Sequence, residues 1–373
     1  MQAQIDRPFG ALIMRLIRKE DLSRNESRDA FSTILEDRTT EMQQGAFLAA
    51  LTAKGETEEE VAGAWEAIYE LDTRQVSLDT QMPLFENSGT GMDTFKTFNI
   101  STAASVIAAA GGIKMARHGA RAITSVCGTV DMAEVLGVDV ECRADIVAES
   151  IEKVGIGLFN GMSPQIHPRA LGRILSNIFF GSTLNIAASL ANPALPKLGV
   201  RGVYAKEMIL PVAKVMKAIG YQRAVVLYGG IDGSDKGMDE ASVCGSTFCA
   251  ELTDEGEIRQ FSFRPEQVGL NCHDPVQLIP ADDISREAKR FVSLIRGRSN
   301  GARKDAAILN AGLIFYTAGE AKTIQDGIGK ALSALNDGIA YHTLEKWVEA
   351  QNEDPESGMK KLSDLIENHD GED

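Results

Sequence analysis

The stretch NSGTGMDTFKTFNISTAASVIAAAGGIKMARHG, Asn87 to Gly119, decides how the rest of the chain is read. Pro83, Leu84 and Phe85 end a short buried strand, and Gly89-Thr90-Gly91 then removes side-chain bulk where backbone N–H groups can close on oxygens. Asn99-Ile100-Ser101-Thr102 carries amide and hydroxyl side chains of the helix-capping kind. The largely apolar run Ala103 to Ala110 continues as a helix up to Gly111-Gly112. A helix start beside a glycine turn offers free N–H donors and a positive dipole end, the two demands of a phosphate. Ile113 to Met115 reads as a second strand that delivers Arg117-His118-Gly119-Ala120-Arg121 to the same edge. Each piece alone is also an ordinary strand turn, capped helix or loop. Their succession within one βαβ-sized unit points to an anion site.

Outward from this unit the texture differs on the two sides. Residues 1–78 show helical periodicity, with Leu12, Leu16 and Ile17 on one face, Phe31 and Leu35 on another, and Phe47, Leu48 and Leu51 on a third. Ser23 and Thr57 are N-caps before acidic first turns. The apolar faces exceed what four short helices need for one another, so a homodimer contact through this helical domain is expected beside simple internal packing. Residues 79–166 and 196–350 read as an α/β domain with a mainly parallel central sheet, and helices from about 167–195 join the helical domain. Val130 to Leu136 and Asp145 to Val154 read as helices, with Gly155 to Phe159 as a strand. His167-Pro168 opens a long helix, followed by another from Ser182 to Leu190. Ala224 to Tyr228 is a strand, and Cys249 to Leu252 with Ile258 to Phe263 form a hairpin around Thr253 to Gly256. Ser285 to Val348 is mostly helical, and residues 351–373 form an acidic C-terminal segment with the composition of a mobile end. In such a sheet the ligand lies at the carboxyl ends of the strands, where the 87–121 loops and the Gly229–Glu240 loop meet.

With 53 acidic against 38 basic residues, the net charge of −15 argues against nucleic acid as the main partner. Any anionic substrate must then be met by a local basic and metal-assisted pocket. The five cysteines lack a CxxC pair and read as reduced core residues, Cys244 and Cys249 lying one or two helical turns apart. Leu12 to Ile17 is interrupted by Arg15, and Ala103 to Gly112 is too short to span a bilayer, so the expectation is a cytoplasmic protein without a membrane partner.

The run GTGxDxxxTFNIST from Gly89 to Thr102, Arg117-His118-Gly119, Gly128-Thr129 and Met238-Asp239-Glu240 resembles the anthranilate phosphoribosyltransferase family, in the nucleoside phosphorylase/phosphoribosyltransferase superfamily. Lys54-Gly55-Glu56-Thr57 and Gly63-Ala64 resemble the same family's helical first domain. The resemblance implies a homodimeric, Mg²⁺-dependent transfer of phosphoribosyl from phosphoribosyl pyrophosphate to an aromatic acceptor. It implies that Gly89, Thr90, Gly91, Met92, Asp93, Thr97, Asn99, Ser101, Thr102, Arg117, His118, Gly119, Ser125 and Thr129 surround the pyrophosphate and 5-phosphate. Ser101, Asp239 and Glu240 would hold magnesium, which suits a hydroxyl and paired carboxylates as hard oxygen ligands.

The chain also departs from the family pattern. Met92 stands where a second glycine is usual, Arg117 replaces a lysine, and Cys127-Gly128-Thr129 replaces Ser-Gly-Ser. An acceptor pocket of His118, Ala120, Arg173 and Asn177 follows, in which Ala120 takes the place of an asparagine and Asn177 that of a carboxylate-binding arginine. Arg173, one turn earlier, is a shifted anchor on this reading. The expected acceptor is therefore an aromatic or heteroaromatic nitrogen other than anthranilate. Anthranilate transfer in tryptophan biosynthesis, nucleoside phosphorolysis and a non-catalytic binding homologue are the alternatives.

Overall fold

The computed structural model describes residues 7–91, 93–121, 127–178 and 180–367. The helical domain opens with α1 (Arg7–Ile17), α2 (Arg24–Leu35), α3 (Glu41–Lys54) and α4 (Glu58–Asp72). Ser23 and Thr57 cap α2 and α4 in full capping boxes, their third helical residues Glu26 and Glu60 reaching back to the cap N–H. Glu60 does more than cap. Fully buried, it accepts from Leu22 N and Thr57 N, both at 2.8 Å, and pairs with Lys54 Nζ at 2.9 Å. The Lys-Gly-Glu-Thr motif is thus the joint between α3 and α4, and Glu56 extends it by accepting from Thr183 Oγ1 at 2.8 Å. Ile17 is 59% exposed and does not share the buried face of Leu16.

The larger domain contains β1 (Leu84–Gly89), α5 (Ile100–Ala110), β2 (Lys114–Gly119), α6 (Thr129–Val135), α7 (Ala144–Val154) and β3 (Ile156–Asn160). Then come α8 (Leu171–Ile178), α9 (Thr183–Ser189), β4 (Leu198–Gly202), α10 (Ile209–Ala218), β5 (Arg223–Gly230), the short β6 (Gly237–Met238), β7 (Thr247–Leu252) and β8 (Ile258–Phe263). The chain continues through α11 (Ile284–Ile295), α12 (Ala302–Thr317), α13 (Ile324–Asn336), α14 (Ile339–Ala350) and α15 (Pro355–Glu367). The sheet runs β3-β2-β1-β4-β5-β7-β8, with the first five strands parallel, β7 and β8 antiparallel, and β6 paired to β5.

Both faces of the sheet are covered, which is why AVVLYGG reads as a continuous apolar run. Val225 and Leu227 of β5 pack with α5 and the C-terminal helices, whereas Ala224 and Val226 join a core shared by α1–α4, α8, α9 and α10. That second core welds the helical domain to the sheet. α5 is buried on nearly every side, which its small side chains, Ala103, Ala104, Ala108 and Ala109 among them, permit.

The structure revises several sequence expectations. β1 begins at Leu84 and continues to Gly89, so the strand itself carries residues expected in the turn. β4 has no counterpart in the sequence reading, since LGVRG is short and holds two glycines, yet it lies between β1 and β5. The long helix expected after His167-Pro168 is the eight-residue α8. Cys249 lies on β7, so no helical spacing relates it to Cys244, though both are buried as expected. Within the C-terminal segment expected to be mobile, Pro355–Glu367 form α15, with Leu362 and Leu365 in the core. Just before it, the fully buried Gln351 accepts from Leu158 N at 2.8 Å and donates to Leu158 O at 2.9 Å, completing the outer side of the edge strand β3.

Candidate active site

A cavity of about 580 Å³ opens at the carboxyl ends of β1 and β2, with the residues after β6 on its wall. Gly89, Thr90, Gly91, Asp93, Thr97, Asn99, Ser101, His118, Gly119, Ala120, Thr129, Asp239 and Glu240 all line it. Most of the residues singled out in the sequence are therefore brought together. Met92 and Ser125 lie outside the described residues.

Two glycines make room for the acidic segment. A Cβ at Gly89 would stand 2.0 Å from Asp239 Oδ2, and one at Gly202 would stand 1.5 Å from the Asp239 carbonyl oxygen. Asp239 Oδ2 accepts from Gly91 N at 2.7 Å, and Thr97 Oγ1 donates to Glu240 Oε2 at 3.5 Å. Of the expected metal ligands, Asp239 and Glu240 are joined by Asp93, one oxygen of each lying within 4.8 Å of the others, whereas Ser101 lines the cavity and accepts from Arg117. Lys96 brings a cation to this group, its Nζ lying 2.7 Å from Asp93 Oδ1. The Asp93 carboxyl is pushed up to about 6 by burial and by the Asp239 charge, against the pull of Lys96. Glu240 is raised well above the usual carboxylate range by burial and then by the charges of Asp239 and Asp93, although part of its surface still faces the cavity. An all-oxygen set of crowded carboxylates suits a hard divalent cation, and Mg²⁺ is one that such groups bind.

Opposite this cluster stands the start of α5. Asn99 occupies the N-cap position without a side-chain cap, and its Nδ2 donates to Cys127 O at 3.3 Å, across to the residues that precede α6. Ile100 N donates to Phe98 O at 2.6 Å and Ala103 N to Asn99 O at 3.1 Å, which leaves the N–H groups of Ser101 and Thr102 as donors for a ligand.

Strand alternation separates Arg117 from His118. Arg117 is 2% exposed and points under α5, where Nη1 donates to Thr102 Oγ1 at 2.9 Å, Nη2 to Ser101 Oγ at 3.4 Å and Nε to Asn87 O at 3.3 Å. Neither Arg117 nor Thr102 reaches the cavity wall, so the direct phosphate contacts expected of them do not match this geometry. Arg117 instead holds Ser101, which does line the cavity. Burial draws its guanidinium down to about 10, so it stays charged at neutral pH.

The acceptor side differs from expectation in the same way. His118 and Ala120 are on the wall, but Arg173 turns to the helical domain, donating to Gln44 Oε1 at 3.1 Å and Ile34 O at 3.0 Å, with Asp37 at 3.4 Å. Asn177 is exposed and donates to Arg173 O at 2.7 Å. The spacing places both correctly on α8 but does not reveal which face points inward. In their stead the wall has Leu175, Phe180, Gly181 and Asn185, which the sequence reading missed, along with Lys96. Their only sequence signal is a glycine and an aromatic in the short link between α8 and α9. Arg121 also lines the cavity, tied to Glu134 Oε2 at 2.6 Å, Asp131 Oδ1 at 3.2 Å and Glu141 Oε1 at 3.3 Å.

Two family models match the chain in succession, the helical bundle domain of a glycosyl transferase family over residues 11–71 and its a/b domain over residues 81–341. Fold and cavity together are thus those of a glycosyl-transferring enzyme. The chain is 34% identical over 340 residues to the anthranilate phosphoribosyltransferase of Anaeromyxobacter dehalogenans, covering 91% of this chain and 97% of that protein. With its namesake from Listeria monocytogenes it shares 33% over 347 residues, 92% and 98% of the two chains. The crystal structure of anthranilate phosphoribosyltransferase from Thermus thermophilus superposes with a TM-score of 0.81 at 30% identity, over 91% of this chain and 99% of that one. The Saccharomyces cerevisiae enzyme in complex with PRPP and Mg has the same fold, with a TM-score of 0.80 at 21% identity, over 92% and 98%. The chain belongs to the anthranilate phosphoribosyltransferase family and is a phosphoribosyltransferase.

Proposed function

We propose that this enzyme transfers phosphoribosyl from phosphoribosyl pyrophosphate to an aromatic or heteroaromatic nitrogen, with Mg²⁺ held by Asp93, Asp239 and Glu240. The observation that carries this reading is the facing of two opposite sites across one cavity, three converging carboxylates on one side and the start of α5 on the other. A bound Mg²⁺ would supply the charge that steadies pyrophosphate as it leaves an oxocarbenium-like carbon. Beside the Gly89–Gly91 turn, Thr97, Asn99, Ser101 and Thr129 would bind the phosphate oxygens through N–H and hydroxyl groups, and Arg117 would orient Ser101 from below. No covalent nucleophile is required.

The names of the bacterial relatives count in favour of anthranilate as acceptor. What supports a different acceptor is the wall itself: Ala120 offers no side-chain hydrogen bond, and Arg173 and Asn177 are off it. Losing a cation opposite a buried carboxylate costs about 2–5 kcal/mol. The test is product formation from phosphoribosyl pyrophosphate and Mg²⁺ with a panel of anthranilate, aromatic amines lacking a carboxylate, and nitrogen heterocycles. We expect kcat/KM for one of the latter to exceed that for anthranilate at least tenfold. Anthranilate as the best acceptor would replace this part of the reading with the tryptophan-pathway reaction.

The remaining elements are a homodimer through the helical domain and a cytoplasmic setting. Met14, Ile17 and Met42, 48%, 59% and 86% exposed on the packed pair α1 and α3, support the first. Five free cysteines, three of them buried, support the second. Sedimentation of the wild type and of Met42→Glu tests the dimer; a monomeric wild type would remove it.

A further inference from the structure

Behind the cavity wall, His118 is the end of a chain of groups that begins in the helical domain. His118 Nε2 lies 3.2 Å from His167 Nε2, and His167 Nδ1 lies 2.7 Å from the main-chain oxygen of Asp72. Thr73 Oγ1, at 3.4 Å from the same Nδ1, is a longer contact. Asp72 closes α4 and is 1% exposed. Its carboxylate accepts from three successive N–H groups, Arg169 at 2.6 Å, Ala170 at 2.9 Å and Leu171 at 2.7 Å. One residue therefore holds both the turn that starts α8 and the ring of His167.

The protons follow from donor and acceptor rules. A carbonyl oxygen only accepts, so the 2.7 Å contact needs the proton on His167 Nδ1. In a neutral ring His167 Nε2 is then a lone pair, and the facing His118 Nε2 must carry the proton, since two lone pairs at 3.2 Å would repel. His118 Nδ1 is left bare. Its contact with Ser189 O is long, at 3.4 Å, and gives way to the 2.7 Å contact that sets the protons of the pair.

We infer that Asp72 and His167 are positioning residues for the acceptor pocket, holding His118 as the neutral Nε2–H tautomer. The inference deepens the reading of this cavity as a phosphoribosyl acceptor site and rests on it. Burial keeps both rings neutral: His118 is drawn down to about 3, by burial first and then by His167 and Arg201, and His167 below its ordinary value. His118 fixed in this way has its Nδ1 toward Ser189 O, and Ser189 is not on the cavity wall. The ring has no free N–H to donate to a carboxylate, because Nε2–H is committed to His167. This ring thus offers no N–H to the carboxylate of an acceptor.

The experiment has two arms. Imidazole ¹⁵N spectra of the unliganded full-length protein at neutral pH should show His118 protonated at Nε2 and bare at Nδ1, and His167 protonated at Nδ1. In the second arm, His167→Phe should raise the acceptor KM about tenfold and leave the KM of phosphoribosyl pyrophosphate unchanged. His167→Gln, whose carbonyl can still accept from Nε2–H, should restore it. Asp72→Ala should act like His167→Phe, and Asp72→Asn, whose one oxygen still accepts from the Ala170 and Leu171 N–H groups, should lose less. A charged His118, the opposite tautomer, or equal loss in both members of a pair would overturn the inference. The spectra need no substrate. A protein that fails to use phosphoribosyl pyrophosphate but shows the expected tautomers would overturn the functional reading alone.

Discussion

Gly89 and Asp239 occupy the end of β1 so tightly that a Cβ on the glycine would lie 2.0 Å from Asp239 Oδ2. The glycine is needed for the space it leaves. The Asp239 carboxylate fills that space, accepts from Gly91 N and meets Asp93 and Glu240. Gly89→Ala should push the carboxylate aside while leaving the buried remainder of β1 intact. We expect Mg²⁺ affinity to fall roughly 10–100-fold, the usual size of a lost orienting contact. Calorimetric titration checks this; an unchanged Mg²⁺ affinity would place the ion elsewhere.

Replacing Asp239 by Asn together with Glu240 by Gln should lower kcat by a factor on the order of 10²–10³ or more, as expected when transition-state charge loses its counterion. The same double variant should melt at or above the temperature of the metal-free parent, because it removes like charges that are costly to bury together. Melting curves and steady-state rates measured on one preparation separate the two effects. Loss of the fold would assign the pair a structural role.

Asp93 gives the site a pH dependence. Its folded-state pKa near 6 lies above the ordinary 3.8, so protonation stabilises the metal-free fold at low pH, and that contribution is lost as pH rises through about 6. Mg²⁺ must displace this proton, so it competes less well in acid. The rise in melting temperature produced by Mg²⁺ should therefore grow from pH 5 to pH 7. A shift that stays constant over this range would argue against Asp93 as a ligand.

Arg173 should behave as a residue of the helical domain. Its guanidinium bonds Gln44 and the Ile34 carbonyl and turns away from the cavity. Arg173→Ala should cost about 1.5–3 kcal/mol of stability, the range for hydrogen bonds to a charged group, with the acceptor KM unchanged. A raised KM at unchanged stability would return Arg173 to the acceptor pocket.

These predictions depend on distinctions that a linear sequence conveys unevenly. The glycine turn, the start of α5 and the Asp239-Glu240 pair are legible because special backbone positions and paired acids leave local marks. Arg117 and His118 both read as site residues, yet strand alternation sends one under α5 and the other into the cavity; a residue-by-residue period of two is enough to separate them. β4 is not legible, since Gly199 and Gly202 look like loop residues until Tyr221 and Asp239 are seen packed against them. Gln351 is hidden for a related reason. Its side-chain hydrogen bonds join β3, Trp347 and Asp139, partners distant in sequence or separated by one helical turn, and no pattern around residue 351 announces them. The face of α8 that meets the cavity depends on how that short helix docks on α1–α4, so Leu175 and Phe180 emerge only from the fold.

The most direct test of the account is calorimetric titration of the wild-type protein with phosphoribosyl pyrophosphate, with and without Mg²⁺, beside the Asp239→Asn variant. The account predicts binding that strengthens at least tenfold with Mg²⁺ in the wild type and gains little from Mg²⁺ in the variant. Equal affinity with and without the metal, or no binding at all, would contradict it.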